Sequence, residues 1–284
     1  MQLLDGKKLA QSIEKDLAML VSACNDKPSL AVILVGNDPA SQTYVNMKKH
    51  ACERVGMIAR LYALSSRTTQ VELLRIIESL NNDEDVHGIL VQLPLPPHIE
   101  SNPILEAIAP SKDVDGFSPH NIGRVRANLS AFAPATPLGV MDLLAAYQIK
   151  LQGQHCVIVG ASNIVGKPLA ALMLNANATV TTCHIYTRDL ASFTRQADIL
   201  CVAVGKPNLI TADMVKEGAV VVDIGITRLP NGKICGDVDF EAVSPKCSFI
   251  SPVPGGAGPM TIVSLLQNTF KAYEIQRCIK GSYA

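Results

Sequence analysis

His155-Cys-Val-Ile-Val-Gly-Ala-Ser-Asn-Ile-Val-Gly-Lys-Pro168 is an apolar run that stops at a glycine, turns, and resumes after a second glycine with helical spacing. A strand, a glycine turn and a helix in this order make a phosphate cradle. Glycines let backbone N–H groups approach an anion closely, and the helix N-terminus favours negative charge. A Walker A loop would place Ser or Thr after its lysine to bind magnesium, but here Lys167 is followed by Pro168, which argues against an ATPase. The dinucleotide alternative needs a βαβ unit whose ribose end is read about 20 residues further on. Gly160-x-Ser162-x3-Gly166 departs from GxGxxG, yet the next apolar run, Ala178–Thr182, comes at that distance. It ends in Cys183-His184-Ile185-Tyr186-Thr187-Arg188, with no carboxylate to hold an NAD ribose. A 2′-phosphate would not be repelled there, and Arg188, His184 or Lys167 could neutralise it, so NADP is favoured over NAD. On spacing alone, a tight strand–helix turn with no ligand is the alternative.

Further apolar runs lie at Leu30–Val35, Gly88–Leu93, Ile199–Val204 and Ala219–Ile224. They are mostly continuous rather than alternating, as expected of parallel strands covered on both faces. Helical stretches separate them: Ser41–Val55 ending at Gly56, Thr69–Asn81 with a threonine cap, Gly166–Asn177, and Thr211–Glu217 ending at Gly218. The alternation predicts an α/β fold with parallel sheets. A boundary falls between Ala131 and Gly153, where a linking helix over Val140–Gln148 is expected, capped by Thr136 with Pro137 at its first position. A last helix is expected from about Pro259 to Ile279, able to return to the first lobe. The predicted domains are 1–137 plus 266–284 for the substrate and 138–265 for the dinucleotide.

The chain has 284 residues, enough for two domains with sizeable cores. Its 25 basic and 25 acidic residues cancel, and no basic run appears, so neither nucleic acid nor an anionic membrane is an expected partner. The eight cysteines are scattered singly without a CxxC pair or zinc-ligand spacing, which predicts no metal and a reduced, cytoplasmic setting. The N-terminus meets charge at once, unlike a signal peptide, and no apolar run reaches the ~18 residues of a membrane span.

In the first half, Ser41-Gln-Thr-Tyr-Val-Asn-Met-Lys-Lys-His50 follows a buried strand and the turn Gly36-Asn37-Asp38-Pro39. Tyr44 and Lys48 share one helix face, where a tyrosine beside a lysine suits a flat aromatic substrate with a protonatable atom. The same spacing also fits a surface lysine next to a half-buried tyrosine. Gln92 reads as a polar residue inside an apolar strand. Its amide needs a partner, whether a lysine amine, a substrate heteroatom or the backbone. Asp115, in Lys-Asp-Val-Asp-Gly-Phe-Ser-Pro, sits in a turn signal, and Asp113 is the better pure turn former. His50 and His120 read as surface residues.

Eight segments, in this order, resemble the bifunctional methylenetetrahydrofolate dehydrogenase/methenyltetrahydrofolate cyclohydrolase family. They are Tyr44-Val45-x-x-Lys48, Val91-Gln92-Leu93-Pro94-Leu95-Pro96, Asp113-Val114-Asp115-Gly116-Phe117, Thr136-Pro137-x-Gly139, the Gly160–Pro168 loop, Val222-Asp223-x-Gly225, Gly236-Asp237-Val238 and Pro252-Val253-Pro254-Gly255-Gly256-x-Gly258-Pro259-Met260-Thr261. The resemblance implies two α/β lobes with a cleft, an N-terminal folate domain, a Rossmann-like NADP domain, a C-terminal helix returning to the first lobe, and a homodimer. It implies that Tyr44 stacks on the pterin, Lys48 is the acid–base residue, Gln92 orients Lys48, and Asp115 bonds the pterin ring. Pro254, Gly255 and Gly256 would approach the substrate. Thr136, Gly160, Ser162, Val165, Gly166, Lys167, His184, Arg188, Gly225 and Ile226 would hold NADP. Ala161 and Ile185 depart from the commoner arginine and serine near the 2′-phosphate. The alternatives are a dehydrogenase without the hydrolytic step, another two-lobed NADP oxidoreductase of the shikimate dehydrogenase type, and a non-catalytic nucleotide sensor.

Overall fold

A computed structural model describes residues 1–281. The first half carries β1 (Gln2–Leu3), α1 (Gly6–Ser22), β2 (Ser29–Val35), α2 (Pro39–Val55), β3 (Ile58–Leu64), α3 (Gln70–Asn82), β4 (Gly88–Val91), α4 (Ser101–Ala107), α5 (Pro119–Arg126) and α6 (Ala135–Ala146). The second carries β5 (His155–Val159), α7 (Gly166–Asn175), β6 (Thr179–Cys183), α8 (Leu190–Thr194), β7 (Ile199–Val202), β8 (Val220–Asp223), β9 (Thr227–Arg228), β10 (Ile234–Cys235), α9 (Phe240–Val243), β11 (Phe249–Ile250) and α10 (Ala257–Gly281). These form two compact units, each assembled from separated stretches of chain. One holds Ser12–Arg124, Ser130–Ala135 and the chain from Ile262 onward; the other holds Met1–Gln11, Val125–Leu129 and Thr136–Thr261.

The first of these units is built on a parallel sheet of order β3-β2-β4. All seven residues of β2 are buried, because a central strand covered on both faces meets only apolar neighbours. Ala31, Ile33, Ile89 and Val91 pack there against Leu73, Ile77 and Leu80 of α3, each buried aliphatic side chain contributing roughly 1.5–3 kcal/mol. Two helix starts are fixed by side chains. Asp38 accepts from the Ser41 N–H at 2.7 Å with Pro39 in the first turn, so α2 begins two residues before the predicted Ser41. Thr69 and Glu72 form a capping box on α3. Gly56 ends α2 with φ 78°, a left-handed geometry that glycine adopts without strain.

The other unit carries a six-stranded sheet, β1-β11-β8-β7-β5-β6, in which every pair is parallel. Its core joins Val157, Val159, Leu200, Val202 and Val221 to Ile210, Val238 and Val243. β6 lies at the edge and is only partly buried, which accounts for its threonines.

Several expectations are corrected. The predicted helix over 211–217 is only a 3₁₀ turn, Ala212–Met214, too short a stretch to bury an apolar face. The linking helix runs Ala135–Ala146 rather than 140–148, so Thr136 and Pro137 lie inside its first turn and Thr136 is not its cap. Strand β7 stops at Val202 and α7 at Asn175. Residues 1–11 cluster with the unit that carries the six-stranded sheet, where β1 pairs with β11 through Gln2–Phe249 and Leu3–Ile250. The last helix begins in that unit, and from Ile262 it belongs to the unit that holds β2. No helix of the described residues is long and apolar enough to cross a membrane, and no group of three or more His, Cys, Asp or Glu among them could hold a metal ion.

Candidate functional site

In the unit built on β2, the sheet delivers a lysine, an amide and a carboxylate to one place. Strand β2 leads through Gly36 into α2, which carries Tyr44 and Lys48 one turn apart on the same face. Strand β4 stops at Val91, so Gln92 lies just past its end rather than within it; its N–H still bonds the Ile33 carbonyl at 2.8 Å. The cis peptide Leu93–Pro94 follows. Lys48 Nζ donates to Gln92 Oε1 at 3.1 Å, and Gln92 Nε2 donates to the Leu93 carbonyl at 2.7 Å. The second bond fixes which end of the amide faces the lysine. Tyr44 is 39% exposed, leaving a ring face open beside the amine.

Asp115 is held by its neighbours. Asp113 is the turn former: its carboxylate accepts from the Phe117 and Ser118 N–H groups and from Asn121 Nδ2 at 2.8–3.2 Å. Gly116 has φ 71°, and a Cβ there would collide with the backbone of Phe132, Ala133 and Pro134. Asn268 of α10 donates to the carbonyls of Val114 and Ala133 at 2.8 and 3.0 Å, tying both flanks of the loop together.

The electrostatics of this group follow from desolvation. Burial pushes the Lys48 amine below the usual lysine range, and the attraction of Asp115 opposes that only in part. Burial pushes Asp115 up to about 6, against the pull of Lys48 and with a push from Asp113. A simple ion pair would move both the other way, so loss of hydration outweighs their mutual attraction. Both groups are therefore brought toward the pH range in which they can exchange a proton.

In the other unit, the glycine loop sits at the C-terminal end of β5, where an open parallel sheet takes its ligand. Gly160 has φ 125°, and a Cβ on it would overlap the Ala203 carbonyl; a Cβ on Gly166 would overlap the Gly160 carbonyl. Both glycines are needed for the loop to fold onto itself. Ser162 Oγ accepts from the Val165 N–H at 3.1 Å, and the Ser162 carbonyl accepts from the Lys167 N–H at 3.1 Å. Lys167 Nζ bonds Asn163 Oδ1 at 2.7 Å. Residues 162–164 are exposed, as are His184 and Arg188 beyond β6. The nearest acid, Asp189, is used as the cap of α8, accepting from Ser192. A solvent-open glycine loop at a helix N-terminus, with cationic side chains and no available carboxylate beyond the next strand, suits a dinucleotide carrying a 2′-phosphate.

The remaining predicted residues divide. Ile226 is 44% exposed and Thr136 Oγ1 lies 3.0 Å from Thr261 Oγ1. Gly225 packs against Asp237, and Gly256 against Ser251 and the Pro252 carbonyl. Gly255, with φ 114°, follows the cis peptide Val253–Pro254 and accepts from the Lys7 N–H at 2.8 Å. These glycines answer local packing needs whether or not a ligand approaches. Sequence reasoning did not find Asn121 or Asn268, whose signal was an amide on an otherwise apolar helix face. A cavity of about 370 Å³ lies at the opposite, N-terminal ends of β5, β7 and β8, lined by Tyr147, Lys150, Asp198 and Lys216, away from the glycine loop.

A parallel sheet with a dinucleotide-type glycine loop in one unit, and a desolvated lysine held by an amide in the other, are the features of an α/β enzyme of the nucleotide-binding class. Comparison with known proteins agrees. A family model for the tetrahydrofolate dehydrogenase/cyclohydrolase catalytic domain matches residues 4–115, and one for the NAD(P)-binding domain of the same enzymes matches 134–277. The bifunctional protein FolD of Wolinella succinogenes is 63% identical over 276 residues, 96% of each chain. The crystal structure of the bifunctional enzyme FolD, a methylenetetrahydrofolate dehydrogenase/cyclohydrolase from Campylobacter jejuni, has a TM-score of 0.95 at 57% identity, covering 96% of this chain and 99% of that one. The Trypanosoma brucei FolD structure, complexed with NADP and an inhibitor, has a TM-score of 0.91 at 36% identity, covering 95% and 96%. The chain belongs to the tetrahydrofolate dehydrogenase/cyclohydrolase family.

Proposed function

We propose that this protein oxidises 5,10-methylenetetrahydrofolate to 5,10-methenyltetrahydrofolate with NADP, and then hydrolyses the methenyl compound to 10-formyltetrahydrofolate. The observation that carries this reading is the Lys48–Gln92 bond beside Asp115, in a chain that also has a dinucleotide loop. When bound, NADP accepts the hydride from the bridging methylene. Oxidation needs chiefly alignment. Tyr44 offers a flat exposed face for the pterin, and Asp115 a carboxyl for its polar edge.

Hydrolysis needs a base. Water adds to the cationic methenyl carbon, and Lys48 as free amine accepts one of its protons. The bond from that carbon to the N5 nitrogen then breaks, and Lys48 returns the proton to N5. The second water proton goes to solvent, leaving the formyl group on N10. Gln92 holds the amine in place throughout, because its own amide is anchored on Leu93. The cationic substrate pushes the Lys48 pKa down further, in the same direction as burial, and so favours the free amine.

The dinucleotide contacts are assigned to Gly160, Ser162, Val165, Gly166 and Lys167, with His184 and Arg188 at the 2′-phosphate and Thr136, Gly225 and Ile226 toward the nicotinamide end. Pro254, Gly255 and Gly256 are assigned to the folate. A dehydrogenase lacking the hydrolytic step is not favoured, since Lys48 is present and oriented. An enzyme of the shikimate dehydrogenase type would use polar groups in place of the Tyr44 face.

The protein is further read as a cytoplasmic homodimer. None of the cysteines is in a disulfide. Strand β3 leaves one edge unpaired, with Ile58 and Leu61 each 45% exposed, a surface suited to a second copy. Light scattering should give twice the chain mass, and Leu61→Lys should halve it.

The activity is tested by mixing the protein with methylenetetrahydrofolate and NADP, then NAD, and following reduced cofactor and methenyl product together by absorbance. Reduced NADP forming without methenyl accumulation supports both activities. Accumulating methenyl product removes Lys48 from the hydrolytic role, and no turnover with either cofactor overturns the folate reading.

A further inference from the structure

Two carboxylates at the C-terminal edge of the six-stranded sheet take no part in the chemistry above, yet both are buried. Asp237 is fully inaccessible and Asp223 is 4% exposed. Asp223 ends β8, and its side chain accepts from the N–H groups of Gly225, Asp237 and Val238 at 2.9–3.0 Å. Asp237 Oδ2 accepts from the N–H groups of Val204 and Gly205 at 2.7 and 3.0 Å. Each carboxylate lies where a glycine has no side chain: a Cβ on Gly236 would overlap Asp223, and a Cβ on Gly225 would overlap Asp237. Two like charges brought this close in a dry interior cost free energy, and Asp237 Oδ1 has no hydrogen-bond partner at all. Such an arrangement persists only if it fixes something that neutral side chains would leave loose.

What it fixes can be followed along the contacts. Asp223 holds the backbone at Asp237, and Asp237 holds the backbone at Val204 and Gly205, directly after β7. The preceding residue, Ala203, has its carbonyl against Gly160, and the Gly160 carbonyl in turn lies against Gly166 at the start of α7. The phosphate loop therefore rests on a bed whose height is set by Asp237. We infer that Asp237 is a positioning residue of the dinucleotide site, acting through Val204 and Gly205, with Asp223 as its anchor. The inference rests on the reading of the Gly160–Gly166 loop as the NADP site.

The role needs an acceptor oxygen, not a charge. Asp237→Asn keeps one oxygen for the two N–H groups, whereas Asp237→Ala removes it, and Gly236→Ala displaces the Asp223 anchor without deleting either carboxylate. NADP binding is measured by calorimetry, and methenyltetrahydrofolate hydrolysis without dinucleotide is measured on the same samples. Expected are a dissociation constant for NADP raised at least tenfold in Asp237→Ala and Gly236→Ala, hydrolysis within twofold of the unaltered protein, and binding within threefold in Asp237→Asn. Should Asp237→Ala fail to fold, Gly236→Ala carries the same comparison. Unchanged NADP binding in the folded variants overturns the inference, and so does a parallel loss of binding and hydrolysis, which marks a merely structural role. An unaltered protein that binds no NADP overturns the dinucleotide reading instead.

Discussion

The Lys48 amine and the Gln92 carboxamide, 44 residues apart in sequence, meet at 3.1 Å. Because the amide nitrogen is already committed to the Leu93 carbonyl, only the oxygen is presented to Lys48, and the amine is aimed without being given a negative partner. An acid at this position would aim it equally well but would hold the proton on it.

Lys48→Met should therefore lower methenyl hydrolysis by about 10²–10⁴-fold while leaving folate binding measurable. Stopped-flow absorbance of the methenyl compound checks it, and an unchanged rate would remove Lys48 from the mechanism.

Substitutions on either side of Lys48 should move its titration in opposite directions. Gln92→Glu adds negative charge beside the amine, raises its pKa, and should shift the acid limb of the hydrolysis profile to higher pH. Asp115→Asn removes the charge that opposes desolvation, lowers the pKa, and should shift that limb to lower pH. Profiles of kcat between pH 5 and 9 decide the matter, and shifts of the same sign would disprove the assignment.

Asp115 should also be a site where function is held at the expense of stability. Its pKa in the fold is raised to about 6, so the folded state binds the proton more tightly than the unfolded chain and stability rises as pH falls from 7 through 6. Asp115→Asn should accordingly stabilise the protein at pH 7 by roughly 1–3 kcal/mol, the lower part of that range allowing for its partial exposure. Urea unfolding at pH 5 and pH 7 reads this out. The gain should shrink at the lower pH, while oxidation of methylenetetrahydrofolate falls at both.

In the glycine loop, Gly166→Ala sets a methyl against the Gly160 carbonyl, a backbone atom with no side-chain freedom to yield. A destabilisation of about 1–3 kcal/mol is expected, together with at least a tenfold loss of NADP affinity. Arg188→Glu, on the exposed segment beyond β6, should leave stability unchanged and weaken NADP more than NAD. Equal effects on the two cofactors would remove Arg188 from the 2′-phosphate.

What could be read from the sequence depended on how local the determining physics was. The glycine loop, β2, the Thr69 cap and the Gly56 stop are set within a few residues, and each was legible. The Lys48–Gln92 meeting was legible only as two separate polar residues, and it took the family motifs to bring them together. Strand β3 was missed because an edge strand shows half-exposed, mixed residues rather than a continuous apolar run. The 211–217 helix was overpredicted because Thr211 and Gly218 look like a cap and a stop, while the segment between them has too little apolar surface to hold a helix. Asn268 and the Asp223–Asp237 pair owe their roles to partners on distant stretches of chain, which no local pattern reports.

The pairing of β1 with β11 has a consequence for how the chain comes to fold. Residues 2–3 find their partners only at 249–250, and the loop bearing Asp115 is fastened by Asn268. Neither unit is a continuous length of polypeptide, so during synthesis neither can be finished until nearly the whole chain has left the ribosome. Until then Leu30–Val35 and its neighbours wait without the last helix, and closure of each unit is a late, long-range event. A polypeptide that stops short of residue 249 should for this reason leave both units incomplete rather than one intact.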